Sequence, residues 1–202
     1  MPPGVSSSAV TDIFGGNTAL GLSITIILYL VAPFSVPILF YFTISSSIQL
    51  DLISLAKLLT IMIVLPLIIS QFLKYFFSQL IDQSIRYISA VNILLIASVG
   101  YIAFSPRSHV ITSDFQSFLY NEIWLFLMFF ITFLVGILIM WRANKADKIA
   151  IAVSKTYMNN VLAIVIASQY FDSRVVLITV LSAIPWSFTP GIMKQITVKF
   201  LK

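Results

Sequence analysis

The stretch Ser154-Lys155-Thr156-Tyr157-Met158-Asn159-Asn160 lies inside an apolar segment that runs from Ile149 to Phe171. A continuous helix at membrane depth has no use for such a polar run, because polar groups placed in hydrocarbon cost free energy unless they are paired. A helix interrupted there does, since its unwound backbone and side chains line a binding cavity. The run therefore predicts a broken helix. A second polar cluster, Ser6-Ser7-Ser8 beside Pro2, Pro3 and Gly4, predicts another.

The surroundings of these two runs fix the solvent. Of the 202 residues, 59% are hydrophobic and 9% charged, and the mean hydropathy is +1.03. A soluble domain carries about 25% charged residues. No Asp, Glu, Lys, Arg or His occurs from Ile13 to Leu50 or from Ile123 to Trp141. Six apolar segments follow: Thr18–Phe42, Leu52–Leu73, Tyr87–Phe104, Phe118–Trp141, Ile149–Phe171 and Val175–Met193. They lack the alternation of a membrane barrel, so helices remain, and a span needs about 20 residues. The expectation is an all-α membrane protein with six long transmembrane segments and an N-terminal half-helix.

The net charge of +5 does not point to nucleic acid, because the basic residues lie between apolar runs rather than in a patch. Lys74, Arg86, Arg142, Lys145, Lys148, Lys194, Lys199 and Lys202 fall on one side of the predicted topology; Lys57, Arg107 and Arg174 fall on the other. The positive-inside rule makes the richer side cytoplasmic, the C-terminus included, and the loop 105–121 external. Lys155 fits neither side. The absence of cysteine removes disulfide and thiol chemistry, and a single histidine, His109, removes any histidine cluster. No nucleophile triad, carboxylate pair or phosphate loop is present, so an enzyme is not expected. Glu122 and Asp114 read as solvated loop residues, and Tyr120, Trp124 and Trp141 as interface aromatics.

A weak repeat links the two polar runs. The first is followed by a half-helix, a turn at Gly15-Gly16-Asn17 and a helix bearing Ala32-Pro33-Phe34-Ser35-Val36-Pro37. The second is followed by a half-helix to Phe171, a turn at Asp172-Ser173-Arg174 and a helix bearing Pro185-Trp186-Ser187-Phe188-Thr189-Pro190. The loop charges orient the two units oppositely, which predicts an inverted repeat of the secondary-transporter type.

These residues resemble the bile acid:sodium symporter family. Pro2, Gly4, Ser7, Thr11, Gly16, Ala19, Leu20 and Thr25, followed by Ala32-Pro33 and Pro37, match its pattern without a gap. Lys155 to Asn160, followed by Leu162-Ala163, is similar to its second motif. The resemblance implies a ten-helix transporter whose two broken helices cross near the midplane, with residues 3–14 as the second half of the first broken helix. It also implies a division into 1–50 (core: half-helix plus helix), 51–110 (a panel-type helix pair) and 111–202 (core, with the second broken helix). Roughly the first third of a typical member is then missing, so the chain is expected to associate with a second chain that supplies helices, to self-associate, or to be inactive.

The resemblance also implies a site formed by Ser7, Ser8, Thr25, Lys155, Thr156, Met158, Asn159 and Asn160. The family's sodium-ligating Asn falls on Ser8, a Ser on Gly21, a Thr on Thr25, its Glu on Lys155 and its Gln on Asn159. A cation ligand has become a cation, and no sodium site is assigned. A buried lysine there reads in three ways: as a surrogate for sodium that attracts an organic anion, as a proton carrier through a pKa lowered by burial, or as a side chain that snorkels to an interface. The first is preferred. The functional expectation is a secondary transporter of a small organic anion, independent of sodium, with sodium or a proton as the alternative coupling ions and no cofactor. The competing readings are an auxin-efflux-type carrier and a non-transporting, truncated membrane subunit.

Overall fold

The computed structural model describes residues 1–44, 51–105 and 115–200. Arg107, His109, Asp114, most of the loop 105–121 and Lys202 lie outside the described residues. The helices are α1 (Ser7–Ile13), α2 (Thr18–Ile44), α3 (Leu52–Phe104), α4 (Phe115–Ile139), α5 (Lys145–Thr156), α6 (Asn160–Tyr170), α7 (Ser173–Leu181) and α8 (Ala183–Phe200). Among the described residues there is no strand, only an isolated antiparallel bridge.

Four stretches of the described residues are long and apolar enough to cross a membrane: Thr18–Thr43, Leu52–Gln79, Phe115–Ile139 and Ser173–Lys199. The expected segment Ile149–Phe171 is divided into α5, of 12 residues, and α6, of 11 residues. At 1.5 Å per residue each half is about 17 Å long, half of a hydrocarbon core of about 30 Å. The expected segments Leu52–Leu73 and Tyr87–Phe104 are joined in α3, and only the first is among the four spans. The sequence reading put a basic loop between them. No loop opens there: two helices meet at a kink, and residues 74–86, which contain no Gly or Pro, are otherwise helical. The interruption is a single non-helical residue, Phe77 (φ −130°, ψ 33°).

The chain divides into two compact units, Met1–Leu28 with Ala103–Lys202, and Tyr29–Ile102. In the second unit, Leu55, Leu59 and Ile63 form one buried stripe at helical spacing. In the first, the core gathers Val10, Phe14, Phe133, Ile149, Ala152, Val153, Tyr157 and Met193. Here α5 packs against α1 and α4, α4 also against α8, and α7 against α6 and α8. Gly136 sets the closeness of α4 and α5: a Cβ built there would stand 2.5 Å from the Ala152 Cα. Helices in lipid gain little from hydrophobic exclusion, so small residues that let backbones approach supply the packing instead. The large exposed side chains, such as Phe42 and Tyr75, suit a surface that faces lipid.

The two Pro-bearing helices differ. Pro33 and Pro37 sit inside a continuous α2. The counterpart is interrupted at Ser182, between α7 and α8. Pro185 offers no N–H to the Leu181 carbonyl, four residues back, and its ring crowds it. The half-helices differ as well, with 7 residues in α1 and 11 in α6.

Candidate functional site

The two polar runs meet. The Gly4 N–H donates to the Tyr157 carbonyl at 2.8 Å, and the Asn159 N–H donates to the Pro2 carbonyl at 2.9 Å. Between these bonds Pro3 faces Met158 in an antiparallel bridge. The pair is of the type whose own N–H groups point away from the partner, so proline at position 3 forfeits no bond. Gly4 allows the approach, because a Cβ there would stand 3.3 Å from the Met158 carbonyl oxygen. The break between α5 and α6 and the residues that lead into α1 therefore satisfy backbone groups of each other within one chain.

The local sequence explains where the helices stop. Tyr157, the C-cap of α5, leaves the helical region (φ −91°, ψ 74°). Asn159 caps the next helix, its side-chain oxygen accepting from the Leu162 N–H at 3.0 Å. Asn is well suited to this position because its short side chain reaches a free N–H of the first turn.

The hydroxyls near the crossing are largely engaged. Ser7 is buried, with its hydroxyl 3.3 Å from that of Thr25. Thr25 donates to the Gly21 carbonyl at 2.9 Å, Thr11 to the Ser7 carbonyl at 2.9 Å and Thr156 to the Ala152 carbonyl at 2.7 Å. Ser8 turns back on its own chain, to the Val5 carbonyl at 3.4 Å. Met158, Asn159 and Asn160 are half-buried. The structure thus joins Ser7 to Thr25, and brings the backbone of Met158 and Asn159 to that of Pro2–Gly4. Ser8 joins neither group by a hydrogen bond. Among the described residues no three of His, Cys, Asp and Glu cluster as metal ligands.

Lys155 corrects one expectation. It is exposed, although Ser154, Thr156 and Tyr157 on either side are buried. The helical period that turns Ala152, Val153 and Thr156 inward carries position 155 outward. The ammonium also lies in the last turn of α5, where a helix C-terminus favours positive charge.

Three features escape the sequence reading. Tyr157 is fully buried, with its hydroxyl 3.1 Å from that of Thr189 and donating to the Met193 sulfur at 3.2 Å. The rings of Phe14, Phe129 and Trp186 meet its ring edge-on, with centroids 6.4, 6.1 and 5.7 Å away. The spacing of Trp186, Thr189 and Met193 along one helical face was the available signal. The Ser154 hydroxyl is buried without a hydrogen-bond partner. Glu122, read as a solvated loop residue, lies within α4 and is only 7% exposed. The apolar run that opens at Phe118 carries it into the helix.

The far ends of α1 and α5 are tied by Asn17. Its N–H donates to the Ala146 carbonyl at 2.9 Å, and its amide to the Asp147 carboxylate at 2.8 Å. Its side-chain oxygen accepts from the Leu20 N–H at 3.1 Å, which caps α2. The same Asp147 accepts from the Asn144 amide at 2.8 Å. Gly15, in the left-handed region (φ 72°), turns the chain between α1 and this contact.

Residues 1–201 match the profile of the SBF-like CPA transporter family. The chain belongs to that family, whose members are transporters rather than enzymes, and its apolar helices make it a membrane protein. No curated protein matches the chain.

Proposed function

We propose that this member of the SBF-like CPA transporter family moves a small organic anion across the cell membrane without sodium. The observation that carries the reading is the pairing of the α5–α6 break with residues 2–4, with Lys155 beside it. Unwound segments that meet in the middle of two half-spans are where secondary transporters bind substrate. The position at which the bile acid:sodium symporters use a carboxylate carries an exposed ammonium instead, open to a substrate carboxylate or sulfonate. Ser7, Ser8, Thr25, Thr156, Met158, Asn159 and Asn160 are assigned to the same binding region.

The rest of the reading follows the same pattern. The two breaks represent inverted repeats, with 1–50 and 111–202 as the core and 51–110 as the panel-type pair. The protein is multi-pass with a cytoplasmic C-terminus, as the distribution of Lys and Arg supports.

The test is uptake of labelled organic carboxylates and sulfonates into proteoliposomes, with sodium replaced by choline. Equal uptake in both media is expected. Uptake that vanishes without sodium contradicts the sodium-free reading, and inhibition by a protonophore transfers the coupling to protons.

A further inference from the structure

Among the acidic side chains of the described residues, Glu122 stands apart. It lies inside the apolar stretch Phe115–Ile139, is 7% exposed, and neither carboxylate oxygen has a hydrogen-bond partner. The charged residues on the helices packed against α4 are Lys145, Asp147, Lys148 and Lys155 on α5 and Lys194 and Lys199 on α8; none donates to it. On α4 itself the other titratable group is Tyr120, which is exposed. An ionised carboxylate left unpaired out of water forfeits its hydration with nothing in return, and such groups take up a proton instead. Ionisable residues within spans are rare, and those present mark ion pathways and proton relays.

We propose that Glu122 is a proton-binding site of this protein, with the carboxyl neutral while α4 is packed as seen and the proton released when the carboxyl reaches water. The proton moves between the carboxyl oxygen and water, and no other reactant takes part. The inference concerns the carboxyl itself and stands whether or not the chain carries an organic anion.

Glu122 is the chain's sole glutamate, the other acidic residues all being aspartate. Side-chain 13C-labelled glutamate therefore reports on one carboxyl. The experiment is solid-state NMR of the full chain in phosphatidylcholine vesicles, at neutral and at alkaline pH. The expected result is a neutral-acid carboxyl signal at neutral pH that becomes a carboxylate signal only on alkalinisation. A carboxylate signal at neutral pH, with or without sodium present, overturns the proposal. Glu122→Gln, which mimics the neutral acid, supplies a second readout. The wild-type thermal midpoint should fall on alkalinisation while that of Glu122→Gln does not; parallel curves for the two also overturn it.

Discussion

Pro3 and Met158 face each other as an antiparallel pair although 155 positions separate them in the chain (158 − 3). The contact ties the break between α5 and α6 to the residues that lead into α1. Free backbone N–H and C=O groups of a broken helix cost several kcal/mol each in hydrocarbon, and here one carbonyl and one N–H of each segment are bonded to the other. The pairing also brings α1 and α5 together from opposite chain directions, and the Asn17–Ala146 bond holds their other ends.

The close packing of α4 on α5 predicts a sharp difference between glycines. Gly136→Ala places a methyl 2.5 Å from the Ala152 backbone and should destabilise by about 1–3 kcal/mol, as overpacked cores do. Gly191→Ala, with nothing within 4 Å of its new methyl, should stabilise α8 by about 0.5–1 kcal/mol. Thermal unfolding of the two variants in detergent checks the opposite signs.

Tyr157 should behave as an anchor with separable parts. Tyr157→Phe removes the hydroxyl bonded to Thr189 and Met193 and should cost about 1 kcal/mol. Thr189 keeps its bond to the Pro185 carbonyl, so the loss stays small. Tyr157→Ala empties a site ringed by Phe14, Phe129 and Trp186 and should cost about 3–5 kcal/mol. Comparable losses in the two variants would contradict this division.

The fold was legible in the sequence where one physical demand dominated. Uncharged runs longer than a bilayer half announced the helices, and polar residues inside an apolar run announced the break at Tyr157–Asn159. The partnership of that break with Pro2–Gly4 came from the family resemblance, since no local pattern reports a contact so distant in the chain. Side-chain direction was harder to read. Lys155 was read as buried because its segment is apolar, yet one step along a helix turns a side chain by about 100°. Glu122 was read as exposed because it stands near a loop. In both cases burial depends on the neighbouring helix, which the local sequence does not name.

Asn17 should tolerate no acid. Asn17→Ala loses the α2 cap and should cost about 0.5–2 kcal/mol. Asp is an equally good cap residue in general, but Asn17→Asp replaces the amide that donates to Asp147 with a second carboxylate. That variant should be the less stable of the two near neutral pH, and adding Asp147→Asn should recover stability. A double-mutant cycle by thermal unfolding measures the coupling.

Lys155 should separate folding from transport. Because the side chain is exposed, Lys155→Gln should change stability by no more than about 0.5 kcal/mol. Uptake of organic anions should fall at least tenfold under the proposed role. Unchanged uptake by a folded Lys155→Gln protein would remove the ammonium from the transport reading and leave it as a favourable charge at a helix end.

The most direct measurement is disulfide formation between residues 3 and 158. The chain has no cysteine of its own, so a disulfide in Pro3→Cys/Met158→Cys can come from no other pair. Residues paired in this way sit with Cα atoms about 4.5 Å apart, within the range of about 4.4–6.8 Å that a disulfide bridges. Mild oxidation in membranes should give an intramolecular bond, seen as a mobility shift of the monomer that reductant reverses. Ile13→Cys/Met158→Cys, at the other end of α1, should give none. Absence of the bond in the first variant, or bonds formed only between chains, would contradict the pairing of the α5–α6 break with the residues that lead into α1 within one chain.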